Sequence, residues 1–314
     1  MAAGGFEPSY FCGQHASLQE DFLAKWRSRG NPKLFFRPPE NLCEKMIISA
    51  QHEEKNYWRD LWSYRELLYF LAWRDILVRY KETTVGIAWA VLRPALQIMI
   101  FTFLFQKVAK MSSGEIPYTL VVAAGTLPWQ LFANSFNDIG SSLTASSSLI
   151  SKVYFPRLLI PTSKLVVAFI DFVISFAVLI ALMAWYQYVP DFRFLALPLF
   201  MLLALTASLG AGLWVSALFV KFRDFRFIAP FIVQTGFFLS PVGYLSSRIS
   251  GFERLLYSIN PMVGVIDGFR WAIFRGHFPI YWPGLIISIC TSTLLLSTAI
   301  LYFRKTEKSF ADTI

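Results

Sequence analysis

The stretch LVVAFIDFVISFAVLIALMAWYQYV, at positions 165–189, decides the fold class. It holds a single charged residue, Asp171, among aliphatic and aromatic side chains. The hydrocarbon core of a bilayer is crossed by a helix of about 20 predominantly apolar residues. A helix that is apolar all round needs a large core or a membrane around it. We therefore interpret this stretch as a membrane span.

The composition of the whole chain agrees with a membrane protein. Of its 314 residues, 55% are hydrophobic, 17% aromatic and 16% charged, whereas about 25% are charged in a typical soluble domain. Its three cysteines are odd in number and far apart, which excludes a disulfide scaffold. The predicted fold is all-α and integral to the membrane, with six transmembrane helices. The candidate spans are residues 85–105, 118–137, 165–189, 194–220, 227–247 and 280–303.

Segments of different character surround these spans. Residues 1–60 have no apolar signal sequence and are predicted to form a cytoplasmic N-terminal arm. Residues 61–82 are predicted as an amphipathic interface helix. Residues 83–305 are predicted to form the six-span domain, and residues 306–314 a cytoplasmic tail.

Two regions are too charged to span but too apolar for a free surface. In the interface helix, Leu67 and Leu71 lie on one side, whereas Tyr69, Trp73 and Tyr80 lie roughly opposite. This pattern predicts a helix in the headgroup layer, covered by protein on its other side. The second region, 249–278, is predicted as short amphipathic helices that re-enter the membrane edge before the last span.

The basic residues predict the orientation of the chain. The formal charge is +9, and cytoplasmic loops of membrane proteins carry an excess of Lys and Arg. With the amino terminus inside, the short inner loops hold basic residues, and six spans leave both termini in the cytoplasm. The charge is then a topology signal, which excludes nucleic-acid binding. The basic residues of the short inner loops are Lys152, Arg157, Lys164, Lys221, Arg223 and Arg226.

The spans are poor in residues that perform chemistry. All three histidines lie outside the spans, and only Arg93 and Asp171 are ionisable well inside them. Charges at membrane depth usually pair or face a cavity, so the two residues either pair, or serve packing, or Arg93 contacts a substrate. The phosphate-loop pattern GxxxxGK[ST] is absent. No cofactor or metal is predicted on this chain, and any ATP site belongs to another polypeptide.

Aromatic residues are dense in the first, second and fifth spans. Aromatic faces beside polar groups suit sugars, because sugar C–H faces stack on rings while hydroxyls find polar edges. Lipid-facing packing and interfacial belts explain aromatic residues equally well. The candidate substrate-channel residues are Arg93, Phe101, Phe105, Trp129, Phe237, Phe238 and Tyr244.

A row of small residues follows one face of the fourth span. Such a row lets another helix approach closely, within the chain or across a dimer. Packing within the chain is the favoured interpretation. The row comprises Ala204, Ser208, Gly212 and Ser216.

Several ordered motifs together resemble the membrane subunit of type-2 ABC exporters, in the branch that exports polysaccharides. RYK at 79–81, Gly86 and WAVLRP at 89–94 resemble the passage from interface helix to first span. FRDFR at 222–226 is similar to the loop between the fourth and fifth spans, and LSPVGY at 239–244 to the end of the fifth. The segment before the last span is matched by Asn260, Pro261, Met262 and the FRW at 269–271.

The resemblance implies a homodimer with two ATP-binding-cassette subunits, which carry ATP and magnesium. It implies export of a lipid-linked polysaccharide, such as an O-antigen or capsule, across the bacterial inner membrane. The Ser-rich segment between the second and third spans is the expected contact with the nucleotide-binding partner. The expected coupling residues are Lys152, Tyr154, Arg157, Arg223 and Asp224. The expected outer gate comprises Asn260, Pro261 and Arg270.

Other functions remain open at this point. The same fold exporting teichoic-acid-type polymers or small amphiphiles is one alternative. A polytopic glycosyl- or acyltransferase is another, although it needs an acidic or histidine cluster that the sequence lacks. A passive channel requires a polar ring or filter.

Overall fold

The computed structural model describes residues 57–307 except 82–86, 109, 111–114, 152, 154 and 223. Within these residues the chain is helical and forms no strand. Most of the predicted N-terminal arm and the tail after 307 lie outside the described residues. The helices are α1 (Tyr57–Ser63), α2 (Arg65–Lys81), α3 (Ile87–Thr102), α4 (Tyr118–Ala145), α5 (Ser147–Ile150), α6 (Leu159–Trp185), α7 (Leu197–Lys221), α8 (Phe225–Phe238), α9 (Gly251–Tyr257), α10 (Pro261–Ile273) and α11 (Trp282–Glu307).

Four helices in the described part of the chain are long and apolar enough to cross a membrane. Their mean hydropathy lies between 1.6 and 2.8, and they correspond to the predicted first, third, fourth and sixth spans. α3 continues as a π-helix over Phe103–Val108, and a 3-10 turn over Phe192–Ala196 leads into α7. The four segments are Ala88–Val108, Leu159–Trp185, Phe192–Lys221 and Trp282–Glu307.

The predicted second and fifth spans are helical but have other boundaries. α4 continues through the polar residues after 137 and ends at Ala145. α8 ends at Phe238 and so has only 14 residues. The chain then turns at Pro241, whose ring removes a helical donor. Tertiary contacts therefore set both ends, and the apolar pattern does not.

The segment before α11 consists of two short helices, as predicted, α9 and α10, with the break between Tyr257 and Pro261. The Asn260 side chain accepts a hydrogen bond from the Met262 amide at 3.0 Å, and Pro261 occupies the first helical position. Both features are typical of a helix start. α10 therefore has a fixed beginning.

α4 lies at the centre of the packing, against α6, α7, α10 and α3. The small-residue row of α7 is buried within the chain, which confirms the favoured interpretation. A Cβ on Gly212 would lie 2.7 Å from the Ile139 side chain of α4, and one on Gly210 would lie 2.8 Å from the backbone of Leu296 in α11. Glycine therefore allows α7 to approach two helices closely on different faces.

α2 packs along α6. Its residues Leu71 and Ala72 are buried, whereas Tyr69 and Trp73 are exposed and stack on each other with ring centroids 6.3 Å apart. The predicted aromatic side holds except for Tyr80, which turns towards α6 to reach Asp171.

Candidate functional site

Five aromatic rings from three helices meet at one place. Phe101 of α3 stacks on Phe237 of α8, with centroids 4.6 Å apart. Phe237 also presents an edge to Trp129 of α4 at 6.1 Å and to Phe238 at 5.4 Å. Phe105 lies one turn beyond Phe101, with its centroid at 6.2 Å. We call these five residues the aromatic cluster.

The aromatic cluster is buried at one side and open at the other. Trp129 is 4% exposed and Phe237 8%, whereas Phe238 is 63% exposed. A Cβ on Gly236 would lie 2.9 Å from the Trp129 ring, so the indole packs directly on the backbone of α8. A surface ligand can therefore reach the Phe238 end of the cluster, while the Trp129 end is fixed by packing.

A polar pair lies on two of the helices that carry the aromatic cluster. The Gln130 side-chain amide donates to the Gln97 side-chain oxygen at 2.6 Å, and both residues are half-buried. Gln97 lies one turn before Phe101 on α3, and Gln130 follows Trp129 on α4. Each side-chain amide has further hydrogen-bond donors and acceptors besides those used in this bond. Rings and amides together suit a ligand that has apolar faces and hydroxyl edges.

A turn at 239–246 follows α8 and is bound from several helices. Arg270 of α10 is 1% exposed, and its guanidinium donates to the carbonyls of Val242 and Tyr244, both at 2.8 Å. Asp267 accepts from the Ser246 hydroxyl at 2.5 Å. Burial raises the pKa of the Asp267 carboxyl, which the Ser246 hydrogen bond and Arg270 partly oppose.

Other contacts hold the same turn, and two of them join it to the aromatic cluster. Asn260 donates to the Ser240 hydroxyl at 2.9 Å, and the Tyr118 hydroxyl donates to the Gly243 carbonyl. The Tyr244 hydroxyl donates to the carbonyl of Phe238 at 3.1 Å. The ring of Phe105 packs against Gly243 so closely that a Cβ there would overlap it. The turn and the open end of the cluster therefore form one packed unit.

A network of charges connects α2 to α4 and α6. Arg79 binds Asp138 at 2.6 Å and also Asp171, and the Tyr80 hydroxyl donates to Asp171. Burial raises the pKa of the Tyr80 phenol, and the hydrogen bond to Asp171 adds to this rise. Burial alone would lower the pKa of Arg79, but the two carboxylates outweigh it and raise that pKa.

The suggested pairing of Arg93 with Asp171 is wrong. Asp171 binds Arg79 and Tyr80 instead, because α2 packs on α6 and brings a guanidinium to the carboxylate. Arg93 is exposed on α3, and the described residues provide it with no ion pair. A second ion pair, between Lys164 and Asp75 at 2.7 Å, supports the same helix contact.

The described residues form no group of three or more His, Cys, Asp or Glu side chains that could hold a metal ion. The site that they do form consists of ring faces, amides and buried hydrogen bonds. This arrangement can bind and guide a ligand by stacking and hydrogen bonding.

Comparison with known proteins identifies the class. Residues 66–274, more than half of the chain, match the family described as ABC-2 type transporter. The chain belongs to the ABC-2 type transporter family. It is 30% identical over 258 residues to the O-antigen export system permease protein RfbA of Myxococcus xanthus, which covers 82% of this chain and 98% of that protein. A protein of the same description from Klebsiella pneumoniae is 28% identical over 249 residues, covering 79% and 94%.

In this ABC-2 transporter subunit, the predicted channel residues divide into three groups. Five of them form the aromatic cluster, Tyr244 reaches it through the Phe238 carbonyl, and Arg93 lies apart on the surface of α3. Of the predicted gate residues, Asn260 and Pro261 lie at the start of α10. Asn260 and Arg270 donate hydrogen bonds to the 239–246 turn.

The predicted coupling residues are only partly described. Lys152, Tyr154 and Arg223 lie outside the described residues. Asp224 immediately precedes α8 and makes no side-chain cap there. The guanidinium of Arg157 binds the carbonyl of Glu307 at the end of α11.

Sequence reasoning missed three features of the ABC-2 transporter subunit. The Gln97–Gln130 pair had a signal, because a lone amide within an apolar span is uncommon. The ion pair of Arg79 with Asp138 had no signal in the sequence, because the two residues are 59 positions apart. The contact of Glu307 with Arg157 had no sequence signal for the same reason, since these residues are 150 positions apart.

Proposed function

We propose that this chain is the permease subunit of an ATP-driven exporter that moves a lipid-linked polysaccharide across the bacterial inner membrane. The observation that carries the proposal is its similarity, over 98% of that protein, to the O-antigen export system permease protein of Myxococcus xanthus. O-antigen or capsular polymer is the substrate class that we infer for this chain.

The aromatic cluster supports a sugar substrate. Its exposed end at Phe238 offers a ring face. The Gln97–Gln130 pair lies on α3 and α4, which also carry rings of the cluster. Sugar rings slide along aromatic faces while exchanging hydrogen bonds with nearby amides. We propose that Phe101, Phe105, Trp129, Phe237, Phe238 and Tyr244 line the polymer path, with Arg93 at its edge.

A complete exporter in this proposal has two copies of the chain and two ATP-binding-cassette subunits. ATP and magnesium bind to those partners, and the permease chain carries no cofactor. The segment between α4 and α6 is the partner contact, with Lys152 and Tyr154 in it, and the loop at Arg223 and Asp224 lies on the same side. Reversible contact there transmits ATP-driven motion.

We propose six spans, with α4 and α8 as the second and fifth. α8 has 14 residues, and the 239–246 turn then completes the crossing. Non-helical backbone is tolerated there because residues 240–243 and 246 are buried in protein. α9 and α10 re-enter the outer edge, where Asn260, Pro261 and Arg270 gate the exit. Both termini then lie in the cytoplasm.

Reconstitution tests this function. The chain and an ATP-binding-cassette partner from the same organism are placed in vesicles with a lipid-linked O-antigen-type polymer. We expect ATP-dependent movement of polymer, and no ATP hydrolysis by the permease chain alone, because it lacks a phosphate loop. A parallel assay uses a polyol-phosphate polymer of the teichoic-acid type. Transport of only that polymer, or ATP turnover by the isolated chain, would reject the proposal.

A further inference from the structure

A corner formed by Tyr57, Arg157 and Glu307 joins three distant parts of the chain. One carboxylate oxygen of Glu307 accepts from the Arg157 amide at 2.7 Å, and the other accepts from the Tyr57 hydroxyl at 3.1 Å. The guanidinium of Arg304 lies 4.7 Å from the centre of the Tyr57 ring and holds it in place.

These contacts provide a hydrogen-bond partner for a backbone amide just before α6. The first amides of a helix have no partner within it, and the residue at the cap position, Leu158, has no polar side chain to offer. The amides of Leu159 and Ile160 bond to carbonyls of the preceding turn. Glu307 satisfies the amide of Arg157, and its negative charge suits the positive end of the α6 dipole.

The relationship is reciprocal. The Arg157 guanidinium donates to the carbonyl of Glu307, which is the last residue of α11. The final carbonyls of a helix also lack internal partners, and a basic side chain there is favourable. Arg157 therefore caps α11 while Glu307 caps the start of α6. Phe155 and Leu158, which flank the exchange, are buried.

The position of this corner gives it a role. Arg157 ends the segment that leads from α4 into α6, Glu307 ends α11, and Tyr57 begins the α1–α2 region, whose far end is bound to Asp138 and Asp171. We propose that Tyr57 and Glu307 are positioning residues for energy coupling, because they fix the exit of the partner-contacting segment to α6, α11 and α1 at once. This inference rests on the proposed function, which assigns that segment to the ATP-binding subunit.

Without the corner, motion of the segment would be absorbed by loosening of the turn before α6. With it, the same motion must displace α6, α11 and the α1–α2 region together. Loss of the corner should therefore uncouple ATP hydrolysis from export while the buried apolar residues around it keep the complex assembled.

The first test reads the capping directly. Full complexes in lipid nanodiscs carry Glu307→Ala, Glu307→Gln or Tyr57→Phe, with Lys305→Gln as a matched control at an exposed neighbour on α11. Hydrogen exchange is followed in peptides covering 155–160. We expect about tenfold faster exchange for Glu307→Ala, the factor for losing one hydrogen bond to a charged group. Glu307→Gln keeps an acceptor and should lie nearer the parent chain.

The second test measures polymer exported per ATP hydrolysed. Glu307→Ala and Tyr57→Phe should both retain the partner subunit and its ATP turnover. Glu307→Ala should lower the export ratio about tenfold, which is the cost of one charge-assisted hydrogen bond. Tyr57→Phe should lower it severalfold. Glu307→Gln should restore much of it, and Lys305→Gln should match the parent.

The outcomes separate the two proposals. Unchanged exchange at 155–160 in Glu307→Ala overturns the capping, and faster exchange with an unchanged export ratio overturns the positioning role. If Glu307→Ala does not assemble, Tyr57→Phe provides both readouts, because it removes one hydrogen bond to Glu307 and leaves the carboxylate in place. Failure of the parent chain to export polysaccharide with its partner rejects the proposed function instead, and the exchange result still stands.

Discussion

Phe101 of α3 lies face to face with Phe237 of α8, the two ring centroids being 4.6 Å apart with planes inclined by 25°. The contact joins the most exposed of the long apolar helices to a short helix that ends in a tightly bound turn. Movement of α3 relative to α8 must therefore slide one ring over the other. A stacking surface at such a contact is suited to a mobile ligand.

Replacing Phe101 tests whether the stacked ring serves transport. We expect Phe101→Ala to lower export per assembled complex severalfold, because it removes a sliding surface and opens a gap beside Phe237. Phe101→Tyr should be tolerated, and Phe101→Leu should fall between them. Phe103→Ala, at an exposed ring two residues further on, is the matched control. Export is measured as surface polysaccharide, and equal activity of the Leu and Tyr variants would mean ordinary packing.

The Arg79–Asp171 pair should contribute to stability. Arg79→Ala and Asp171→Ala each break it, and a double-mutant cycle on the purified chain isolates their interaction. We expect a coupling of about 1 kcal/mol, at the lower end for contacting residues because Arg79 is partly exposed to solvent. Thermal unfolding in detergent provides the measurement. Arg93→Ala should leave the midpoint unchanged, and strictly additive single effects would refute the ion pair.

Arg270 should be needed to hold the 239–246 turn. Arg270→Met leaves the carbonyls of Val242 and Tyr244 buried without their donor, at a cost of about 1–3 kcal/mol for each unsatisfied group. A cysteine placed at Ser240 should then react faster with a thiol reagent. Arg275→Met is the control, because Arg275 also binds a carbonyl, that of Val189, but at an exposed site. Equal labelling rates in both variants would contradict this role.

Lys152 should act on the partner and leave the fold intact. We expect Lys152→Glu to reduce recovery of the ATP-binding subunit in a pull-down, since the charge reversal lies in the segment assigned to that contact. The thermal midpoint of the chain alone should stay unchanged, because charge changes on loops cost about 0.5 kcal/mol or less. Lys305→Glu provides a charge-matched comparison, and undiminished recovery would move the contact elsewhere.

The long apolar segments were predictable because burial in lipid leaves a local mark on the sequence. The stretch at 165–189 contains most of α6, and the predicted fourth and sixth spans lie within or close to observed helices. The ends of α4 and α8 were not predictable in this way. The polar second half of α4 is stabilised by neighbours such as α7, and α8 stops where α10 binds the following turn.

The candidate site shows the same division. Aromatic density selected Phe101, Trp129 and Phe237, and these rings are in contact because three apolar helices pack together. The partner of Asp171 was missed, since nothing in the local pattern links it to a residue on α2. Polar contacts between distant segments depend on how helices pack, and periodicity does not report that.

The position of Arg79 also has a consequence for how the chain is made. Asp171 sits inside an apolar segment, where a carboxylate costs about 2.5–3.5 kcal/mol on scales of insertion by the translocon. Arg79 precedes it by 92 positions, so the ribosome synthesises the cation, and the Tyr80 hydroxyl beside it, well before the acid emerges. We therefore expect the counter-charge of Asp171 to be available as soon as α6 is made, so that this order of synthesis allows the two charges to neutralise each other during insertion.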